Sequence, residues 1–380
     1  MTFAPMVNES PESSEIALLR QAAIIQPEPA CLERIEAAAS AVANWERVIA
    51  LAEKHGITNL MRQHLKTCNF DLPSGCRQQF TALRVRHLRA NRTRMAALAE
   101  MLQALQQEGI PVAVLKGAAL VNLIYPSADM RPMGDIDLLT PPDKAIAARE
   151  VLRRLGYQAE DRNRGTLADH HHLPVASRRD DGIDVLVEIH TDALSRDSGG
   201  RLDWSTVSRE LQPFALEGVT GHALGHVDML RHLCHHTLEP VAWIKLIALA
   251  DIYGYGSTFD ADIPWQQLAD QHPFVINTLT LLGCMASPPE SLRQHLPPNP
   301  APCPADVGRG YPPLSITLGA DLSYARKVRQ LMVAPDWWLH CFYNVPPQNS
   351  LLMTRTLRHP ANVLRWVTRR FLTGIRDRAS

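Results

Sequence analysis

The hexapeptide Gly-Asp-Ile-Asp-Leu-Leu at residues 134–139 has the pattern of a β-strand with one acidic face. Successive side chains of a strand point to opposite faces, so Asp135 and Asp137 would project together from one side of a sheet. Two carboxylates at this spacing repel each other, and burying them without partners is costly. A divalent cation relieves that repulsion, and Mg²⁺ is the usual ion where oxygen ligands meet phosphate. The strand therefore predicts half of a metal site.

A surface strand end and a calcium-binding loop are the alternatives for the same residues. A calcium loop would need a further oxygen ligand two residues on and a glycine after it. Leu139 and Thr140 supply neither, so a calcium loop is disfavoured.

The apolar run at residues 111–115 predicts a short buried strand, which ends at Lys116-Gly117 and is followed by a helix at 118–125. Backbone N–H groups at such a turn, together with the positive end of a helix, favour an anion. Gly117 would let the backbone approach a phosphate closely, and Lys116 or Arg131 would neutralise its charge. The alternatives are a solvated lysine at 116 and pairing of the arginine with Asp129 or Asp135.

Residues 183–190 predict another strand, joined to residues 170–177 by a hairpin whose tip carries Asp181-Gly182. Glu188 is the preferred third carboxylate of the metal site, and Asp184 is the alternative because it shares the same face nearer the tip. His190 lies on that face too. Its expected role is to contact phosphate or acceptor, or to hydrogen-bond a carboxylate. The run of histidines at 170–172 would contribute one side chain to the cleft.

The periodicity of apolar residues divides the chain into an α/β region between helical regions. Helices are predicted at residues 16–25, 31–55 and 77–107, and a proline-rich break contains seven prolines among seventeen residues. The predicted divisions are a disordered tail at 1–15, an N-terminal helical domain at 16–108, an α/β core at 109–200, a helical domain at 201–296, a proline-rich linker or loop at 297–313 and a C-terminal helical segment at 314–380.

Composition narrows the range of partners. The 380 residues carry 39 basic and 39 acidic side chains, and this balance argues against binding to duplex DNA. No apolar run reaches the roughly 18 residues of a transmembrane helix, and no signal-peptide pattern is visible. The seven cysteines form no Cys-x-x-Cys pair, so we expect free thiols and a cytoplasmic location.

The order of these motifs resembles the uncharacterised nucleotidyltransferase family, part of the DNA polymerase beta-like nucleotidyltransferase superfamily. The resemblance is carried by Lys116-Gly117, Arg-x-x-Gly-Asp-x-Asp at 131–137, Leu-Gly-Tyr at 155–157 and Glu-Ile-His at 188–190. It covers about residues 113–194, and weaker similarity extends to 45–66 and 246–265. The chain departs from the wider superfamily in the full helix between the glycine turn and the aspartates, and at Ala118, where many relatives carry serine.

The resemblance implies an α+β or α/β fold with a small mixed β-sheet core of polymerase-beta type, flanked by N- and C-terminal helical domains. It also implies Mg²⁺-dependent transfer of a nucleoside monophosphate from a nucleoside triphosphate such as ATP to a small molecule, peptide or protein. Two Mg²⁺ ions, or Mn²⁺ in their place, would be held by Asp135, Asp137 and Glu188. Glu188 would also help to remove the acceptor's proton. The residues expected to bind nucleotide or phosphate are Lys116, Gly117, Arg131, Gly134 and His190.

Three other functions compete with this one. The chain could be a non-catalytic nucleotide-binding or scaffold module, or a modifier of protein or RNA like toxin–antitoxin nucleotidyltransferases. A zinc-dependent hydrolase would use two histidine pairs at four-residue spacing, His222 with His226 and His232 with His236. No His-Glu-x-x-His arrangement accompanies them, so satisfied or surface histidines are favoured. The arginine-rich residues 355–378 would either contact a membrane surface or RNA, or form a core-packed helix with a solvated face.

Overall fold

The computed structural model describes residues 14–159, 171–194, 201–238, 245–297, 331–346, 348–365 and 367–368. The predicted disordered tail and the proline-rich linker lie almost wholly outside these residues. The domain boundaries drawn from the sequence therefore stay predictions.

Seven strands of the described chain form one mixed sheet, in the spatial order β3-β4-β5-β2-β1-β7-β6. They are β1 (Ala113–Val114), β2 (Asp135–Leu139), β3 (Gln158–Ala159), β4 (Ala176–Asp180), β5 (Ile183–His190), β6 (Gln212–Leu216) and β7 (Val219–Ala223). The pairs β2–β5 and β1–β7 are parallel, and the other neighbouring pairs are antiparallel. The predicted mixed-sheet core is confirmed.

The acidic strand is buried along most of its length, from Ile136 to Leu139. Ile136 and Leu138 of β2 are buried, as expected of side chains on the core face. Asp135 and Asp137 occupy the opposite face, which makes that face the candidate site.

The predicted antiparallel hairpin that carries Glu188 is present. β4 and β5 pair antiparallel, with Asp180 opposite Ile183. Asp181 and Gly182 both have positive φ angles, 48° and 79°, which suit a tight turn with the right-handed twist of the strands.

The region 201–296, predicted to be a helical domain, also contains two strands, because β6 and β7 extend the sheet there. β7 pairs with β1 in parallel, Ala223 opposite Val114. The turn between β6 and β7 has positive φ angles at Glu217 and Gly218, 45° and 85°, which again suit a hairpin. Phe214 packs over Gly221, so a side chain on that glycine would collide with the ring.

Helices precede the sheet in the chain. They are α1 (Ser14–Gln21), α2 (Pro29–Ser40), α3 (Trp45–His55), α4 (Thr58–Thr67) and α5 (Ser74–Gln107). The predicted helix at 31–55 is in fact two helices. The first ends at Ser40, and Asn44 caps the second by accepting a hydrogen bond from the backbone N–H of Arg47.

Further helices lie between and after the strands. Within the sheet region these are α6 (Lys116–Leu123) and α7 (Ala145–Arg154). Those that follow are α8 (Trp204–Val207), α9 (His226–Leu238), α10 (Leu246–Thr258), α11 (Trp265–Gln271), α12 (Pro273–Leu282), α13 (Glu290–Arg293) and α14 (Asp336–Phe342), with a π-helical turn at Thr354–Arg358. No helix in these ranges combines the length and the apolar character needed to cross a membrane.

The cysteines depart from the prediction of free thiols at one position. Cys284 is disulfide-bonded. The other cysteines of the described ranges are free: Cys31, Cys68, Cys76, Cys234 and Cys341. The pairing of Cys284 weakens the argument for a reducing compartment that the sequence alone supported.

A histidine at the junction between α3 and α10 gives the fold a pH dependence. Burial, together with the charges of Lys54 and Lys245, lowers the pKa of His55 to about 4. Its Nδ1 atom accepts a hydrogen bond from the backbone N–H of Leu246 at 3.2 Å. The folded state therefore disfavours protonated His55, whereas the unfolded chain protonates it near pH 6.5.

We expect His55 to lower the free energy of unfolding as the pH falls from 6.5 towards 4, and to have no such effect above pH 6.5. Urea unfolding at a series of pH values should show a smaller acid loss in His55→Asn, whose side-chain oxygen can keep the Leu246 bond. An identical acid loss in the variant and the wild type would contradict the assignment.

Candidate active site

Asp137 and Glu188 lie directly opposite each other on neighbouring strands. β2 and β5 run parallel in a register that pairs Asp137 with Glu188 and Asp135 with Leu186. Because side chains alternate along each strand, the two paired carboxylates share one face. Asp137 is only 2% exposed, while Asp135 is exposed at the beginning of β2. The carboxylate predicted from the other strand thus stands beside the acidic pair.

Two basic side chains converge on Asp137. His190 Nε2 donates to Asp137 Oδ1 at 2.8 Å, and Lys116 Nζ donates to the same oxygen at 3.3 Å. His190 Nε2 also lies 3.3 Å from Glu188 Oε2. Of the roles considered for His190, the structure shows the hydrogen bond to a carboxylate.

The electrostatics of this cluster favour the ionised forms of Asp137 and Glu188. Burial alone would raise the pKa of Asp137, but the Lys116 ammonium and the His190 hydrogen bond hold it well below its usual range. The hydrogen bond from His190 also lowers the pKa of Glu188, against the effect of burial. Partial desolvation of its carboxyl by nearby groups, together with the charge of Asp137, raises the pKa of Asp135. Asp137 and Glu188 are therefore ionised in the folded protein, which is the form that binds a cation.

Lys116 begins α6 in an unusual backbone conformation. Its φ angle is +45°, a left-handed value that costs a non-glycine residue on the order of 1–3 kcal/mol. Its side chain is largely buried where it meets Asp137. Such strain is typical of functional turns, and the bond to Asp137 places the ammonium at the carboxylate cluster.

Arg131 is paired, but with neither of the partners considered from the sequence. Its Nε donates to Asp251 Oδ1 at 2.9 Å and one terminal nitrogen donates to Oδ2 at 2.7 Å. Tyr125 donates to the same carboxylate at 2.6 Å. Asp129 instead pairs with Arg84 at 2.7 Å. Arg131 therefore links the segment before β2 to α10.

The two glycines of the motif have different surroundings. A Cβ built on Gly117 would overlap the Arg131 guanidinium, whose central carbon would lie only 2.7 Å away. A Cβ built on Gly134 would meet no heavy atom within 4 Å. Gly117 is required by packing against Arg131, whereas Gly134 borders open space on the exposed side of β2.

The carboxylates and the histidine have the spacing of a cation site. Ligand atoms of Asp137, Glu188 and His190 all lie within 4.8 Å of one another. Two carboxylate oxygens suit Mg²⁺ or Mn²⁺, and the imidazole nitrogen suits Mn²⁺ better than Mg²⁺. Asp135 is absent from this group, so its predicted role as a ligand stays a proposal.

Asp184 is the less suitable third carboxylate. It stands near the hairpin tip, where Arg179 Nη1 lies 3.5 Å from its Oδ1, and its side chain is 65% exposed. Glu188 stands directly opposite Asp137 on the neighbouring strand and is partly buried. The choice of Glu188 over Asp184 as the third carboxylate stays a prediction.

A family model described as uncharacterised nucleotidyltransferase matches residues 41–273, which is more than half of the chain. The chain belongs to this family. It is therefore a nucleotidyltransferase, as the motif order around the acidic strand predicts. The match includes both carboxylate strands, Lys116-Gly117 and Asp251.

Two solved structures resemble parts of this nucleotidyltransferase. The antibiotic-resistance factor ANT(2'')-Ia is 12% identical, with a TM-score of 0.33, over 45% of this chain and 87% of that one. An antigenic nucleotidyltransferase-like protein from Paracoccidioides brasiliensis is 13% identical, with a TM-score of 0.31, over 50% of this chain and 93% of that one. No curated protein matches the sequence. At these TM-scores the similarity does not bear on substrate.

Helix α5 also reaches the candidate site of the nucleotidyltransferase, which the sequence pattern did not indicate. Arg94 donates to the backbone carbonyl of Asp184 at 3.2 Å. Burial lowers the pKa of Arg94, although the charges of Asp135 and Asp184 act in the opposite direction. Its position within the amphipathic stripe of a long helix resembled an ordinary solvated arginine, and only the fold places it beside Asp135.

Two further histidines lie beside the candidate site of the nucleotidyltransferase. The rings of His171 and His172 lie 5.5 and 5.3 Å from the ring of His190. His172 also pairs with His190 through an isolated backbone bridge. The sequence predicted that one histidine of the run 170–172 would lie in the cleft. In the structure both His171 and His172 lie beside His190. His170 is outside the described residues.

One of the two histidine pairs considered for zinc is excluded by the fold. His222 is exposed on β7, while His226 begins α9, so the two do not share a helix face. His226 instead contacts Tyr255 Oη at 3.0 Å. His232 and His236 do lie on one face of α9, with ring centroids 6.4 Å apart.

The contrast between the two glycines provides a test of stability. We expect Gly117→Ala to lower the free energy of unfolding by about 1–3 kcal/mol, because the new methyl group forces Arg131 to move. Gly134→Ala should change it by no more than about 0.5 kcal/mol. Urea unfolding of both variants measures the difference, and equal effects would show that Arg131 does not pack against the Gly117 turn.

Proposed function

We propose that this nucleotidyltransferase moves a nucleoside monophosphate from a nucleoside triphosphate to an acceptor oxygen, with Mg²⁺ as cofactor. The observation that carries the proposal is the register of β2 and β5, which sets Asp137 opposite Glu188 beside the Lys116 turn. Nucleotidyl transfer requires carboxylates for a cation beside a site for phosphate, and this arrangement supplies both.

The proposed cation ligands are Asp135, Asp137 and Glu188. The spacing of Asp137, Glu188 and His190 fits a divalent ion, and Asp135 stands two residues before Asp137 on the same face. When bound, Mg²⁺ or Mn²⁺ would neutralise the triphosphate and polarise the α-phosphoryl group, and a second ion is expected as in other nucleotidyl transfers. In its absence, Lys116 and His190 compensate the charge of Asp137.

Phosphate oxygens of the nucleotide would be held at the start of α6. Lys116 supplies a cation there, and the N–H groups of the first turn of α6 favour an anion. The missing side chain of Gly134 leaves open space beside the carboxylates, which suits a triphosphate that passes over β2. Arg131 would act mainly by supporting the Gly117 turn, since Asp251 already binds its guanidinium.

The reaction transfers the monophosphate by displacement. The acceptor oxygen forms a bond to the α-phosphorus, the bond from that phosphorus to the bridging oxygen breaks, and pyrophosphate leaves with the electron pair. Glu188 is the proposed base for the acceptor's proton, because its carboxylate lies beside the proposed cation site and its side chain is 22% exposed. His190 holds Asp137 and Glu188 in position through its hydrogen bonds.

The acceptor is proposed to be a small molecule, a peptide or a protein. Equal numbers of acidic and basic residues give the chain no overall attraction for duplex DNA. A cytoplasmic location is still the prediction from sequence, with the bonded Cys284 as the observation that opposes it.

A labelling experiment tests this reaction. The protein is incubated with Mg²⁺ and each nucleoside triphosphate, labelled at either the α- or the γ-phosphate, in an extract of small molecules and proteins from the source cells. We expect α-label on an acceptor and γ-label in pyrophosphate. Transfer of γ-label to an acceptor would indicate a phosphotransferase, and nucleotide binding without any transfer would indicate a non-catalytic module.

A further inference from the structure

Helix α9 begins at the same edge of the sheet as the proposed phosphate site. β7 is parallel to β1, with Ala223 opposite Val114. Lys116 comes two residues after Val114 and begins α6. Gly225 comes two residues after Ala223 and immediately precedes α9. The two helices therefore leave adjacent strands side by side, and the first turns of α9 stand next to the Lys116 turn.

One side chain of α9 is deeply buried in this region without a hydrogen-bond partner. His232 is 1% exposed, and neither ring nitrogen has a partner in the described part of the protein. An imidazole buried in this way is destabilising unless a further group bonds to it. The conformation described here thus leaves one donor and one acceptor for such a group.

The surroundings of His232 are those of the carboxylate site. It lies close enough to Lys116, Asp137 and His190 to interact with their charges. Burial, together with the Lys116 ammonium, holds the pKa of His232 well below its usual range, so the ring is neutral. A neutral ring still carries one N–H, which can bond an anion without adding charge.

The faces of α9 have separate roles. The ring of His236 stacks on that of His232 at 6.4 Å, and His236 interacts electrostatically with Asp135 and Asp137. His235 lies between them in sequence, but its ring packs on Phe274 at 4.3 Å, against α12. Hence the face with His232 and His236 looks toward the carboxylates, and the His235 face belongs to the helical core.

A metal site on α9 is less consistent with the same distances. Among the described residues, the potential ligands that come within 4.8 Å of one another are Asp137, Glu188 and His190. The α9 histidines are not part of that group. A phosphate oxygen at the adjacent Lys116 turn accepts hydrogen bonds and carries charge that Lys116 alone does not balance.

We propose that His232 binds the nucleotide, its ring N–H donating a hydrogen bond to a phosphate oxygen held at the Lys116-Gly117 turn. This inference rests on the proposed function for the position of the phosphates. It adds α9 to the substrate site and gives a buried polar side chain its missing partner.

The test uses inorganic tripolyphosphate with Mg²⁺ as the probe, because its binding depends on neither base nor acceptor. Isothermal titration compares the wild type with His232→Leu, His232→Gln and the matched control His235→Leu. We expect about tenfold weaker binding in His232→Leu, which corresponds to about 1.4 kcal/mol. Binding should be largely restored in His232→Gln, which keeps an N–H donor, and unchanged in His235→Leu.

Thermal unfolding of the same variants separates binding from structure. Since leucine replaces a buried ring without partners, His232→Leu should be at least as stable as the wild type. Equal affinity for tripolyphosphate in His232→Leu and wild type would overturn the proposal. An equal loss of affinity in His235→Leu and His232→Leu would overturn it too. If leucine is not tolerated, His232→Met serves the same comparison. Absence of binding by the wild type would overturn the phosphate site itself, and the His232 bond with it.

Discussion

Asp137→Asn is expected to lower the rate of nucleotidyl transfer by about 10³-fold or more, which corresponds to about 4 kcal/mol of transition-state stabilisation. Asp137 is buried, stands opposite Glu188 and accepts hydrogen bonds from Lys116 and His190. The amide removes the charge that would bind the cation and leaves the two basic side chains without their shared partner. Pyrophosphate release in the presence of acceptor measures the loss.

Asp184→Asn is the matched control for this prediction. Asp184 lies on the same face of β5, but its side chain is 65% exposed and stands beside Arg179 at the hairpin tip. Its substitution should leave the rate within about twofold. If the two variants were equally impaired, the third carboxylate would have to be reassigned; if both were fully active, the carboxylate face would not be the active site.

Asp251→Ala is expected to destabilise the protein by about 3–5 kcal/mol, the usual cost of leaving a buried charge without its partner. Asp251 is 3% exposed, binds Arg131 through both oxygens and accepts a hydrogen bond from Tyr125. Truncation therefore leaves a guanidinium and a phenol unpaired in the interior, next to the Gly117 turn. Urea unfolding measures the change.

Two comparisons make the Asp251 result specific. Asp270→Ala removes an aspartate from the surface of α11, where it accepts a bond only from Gln266 among the described residues, and should change stability by no more than about 0.5 kcal/mol. The double variant Asp251→Leu, Arg131→Met removes both charges and should recover much of the loss. A small effect of Asp251→Ala alone on the free energy of unfolding would show that the Arg131–Asp251 pair does not stabilise the Gly117 turn.

Local sequence patterns were sufficient to predict the strand and the hairpin that form the core of the candidate site. The alternation around Asp135 and Asp137 predicts a strand with one acidic face, and the Asp181-Gly182 tip predicts the hairpin that returns through Glu188. Both features depend on the period of two in a strand and on turn conformations that few residues adopt. These are properties of neighbouring residues, so no knowledge of the tertiary fold is needed.

Long-range partners could not be read from such patterns. Arg131 was expected to pair with a nearby acid, but its partner is Asp251, which lies 120 residues further along the chain. For the same reason, the sequence did not indicate that Arg94 of α5 and His232 of α9 lie near the carboxylates. The β6–β7 hairpin was missed because its two five-residue strands lie within a region dominated by helical periodicity.

The measurement that tests the central claim most directly is stabilisation by nucleotide, since it needs no acceptor. Thermal unfolding is followed with ATP, GTP, CTP and UTP, with and without Mg²⁺, for the wild type and the double variant Asp135→Asn, Asp137→Asn. Ligand at about one hundred times its dissociation constant should stabilise the wild type by about 2.7 kcal/mol. We predict a Mg²⁺-dependent stabilisation by at least one nucleotide that is lost in the variant. No stabilisation by any nucleotide, or equal stabilisation of the variant, would contradict the assignment of the carboxylate face as the active site.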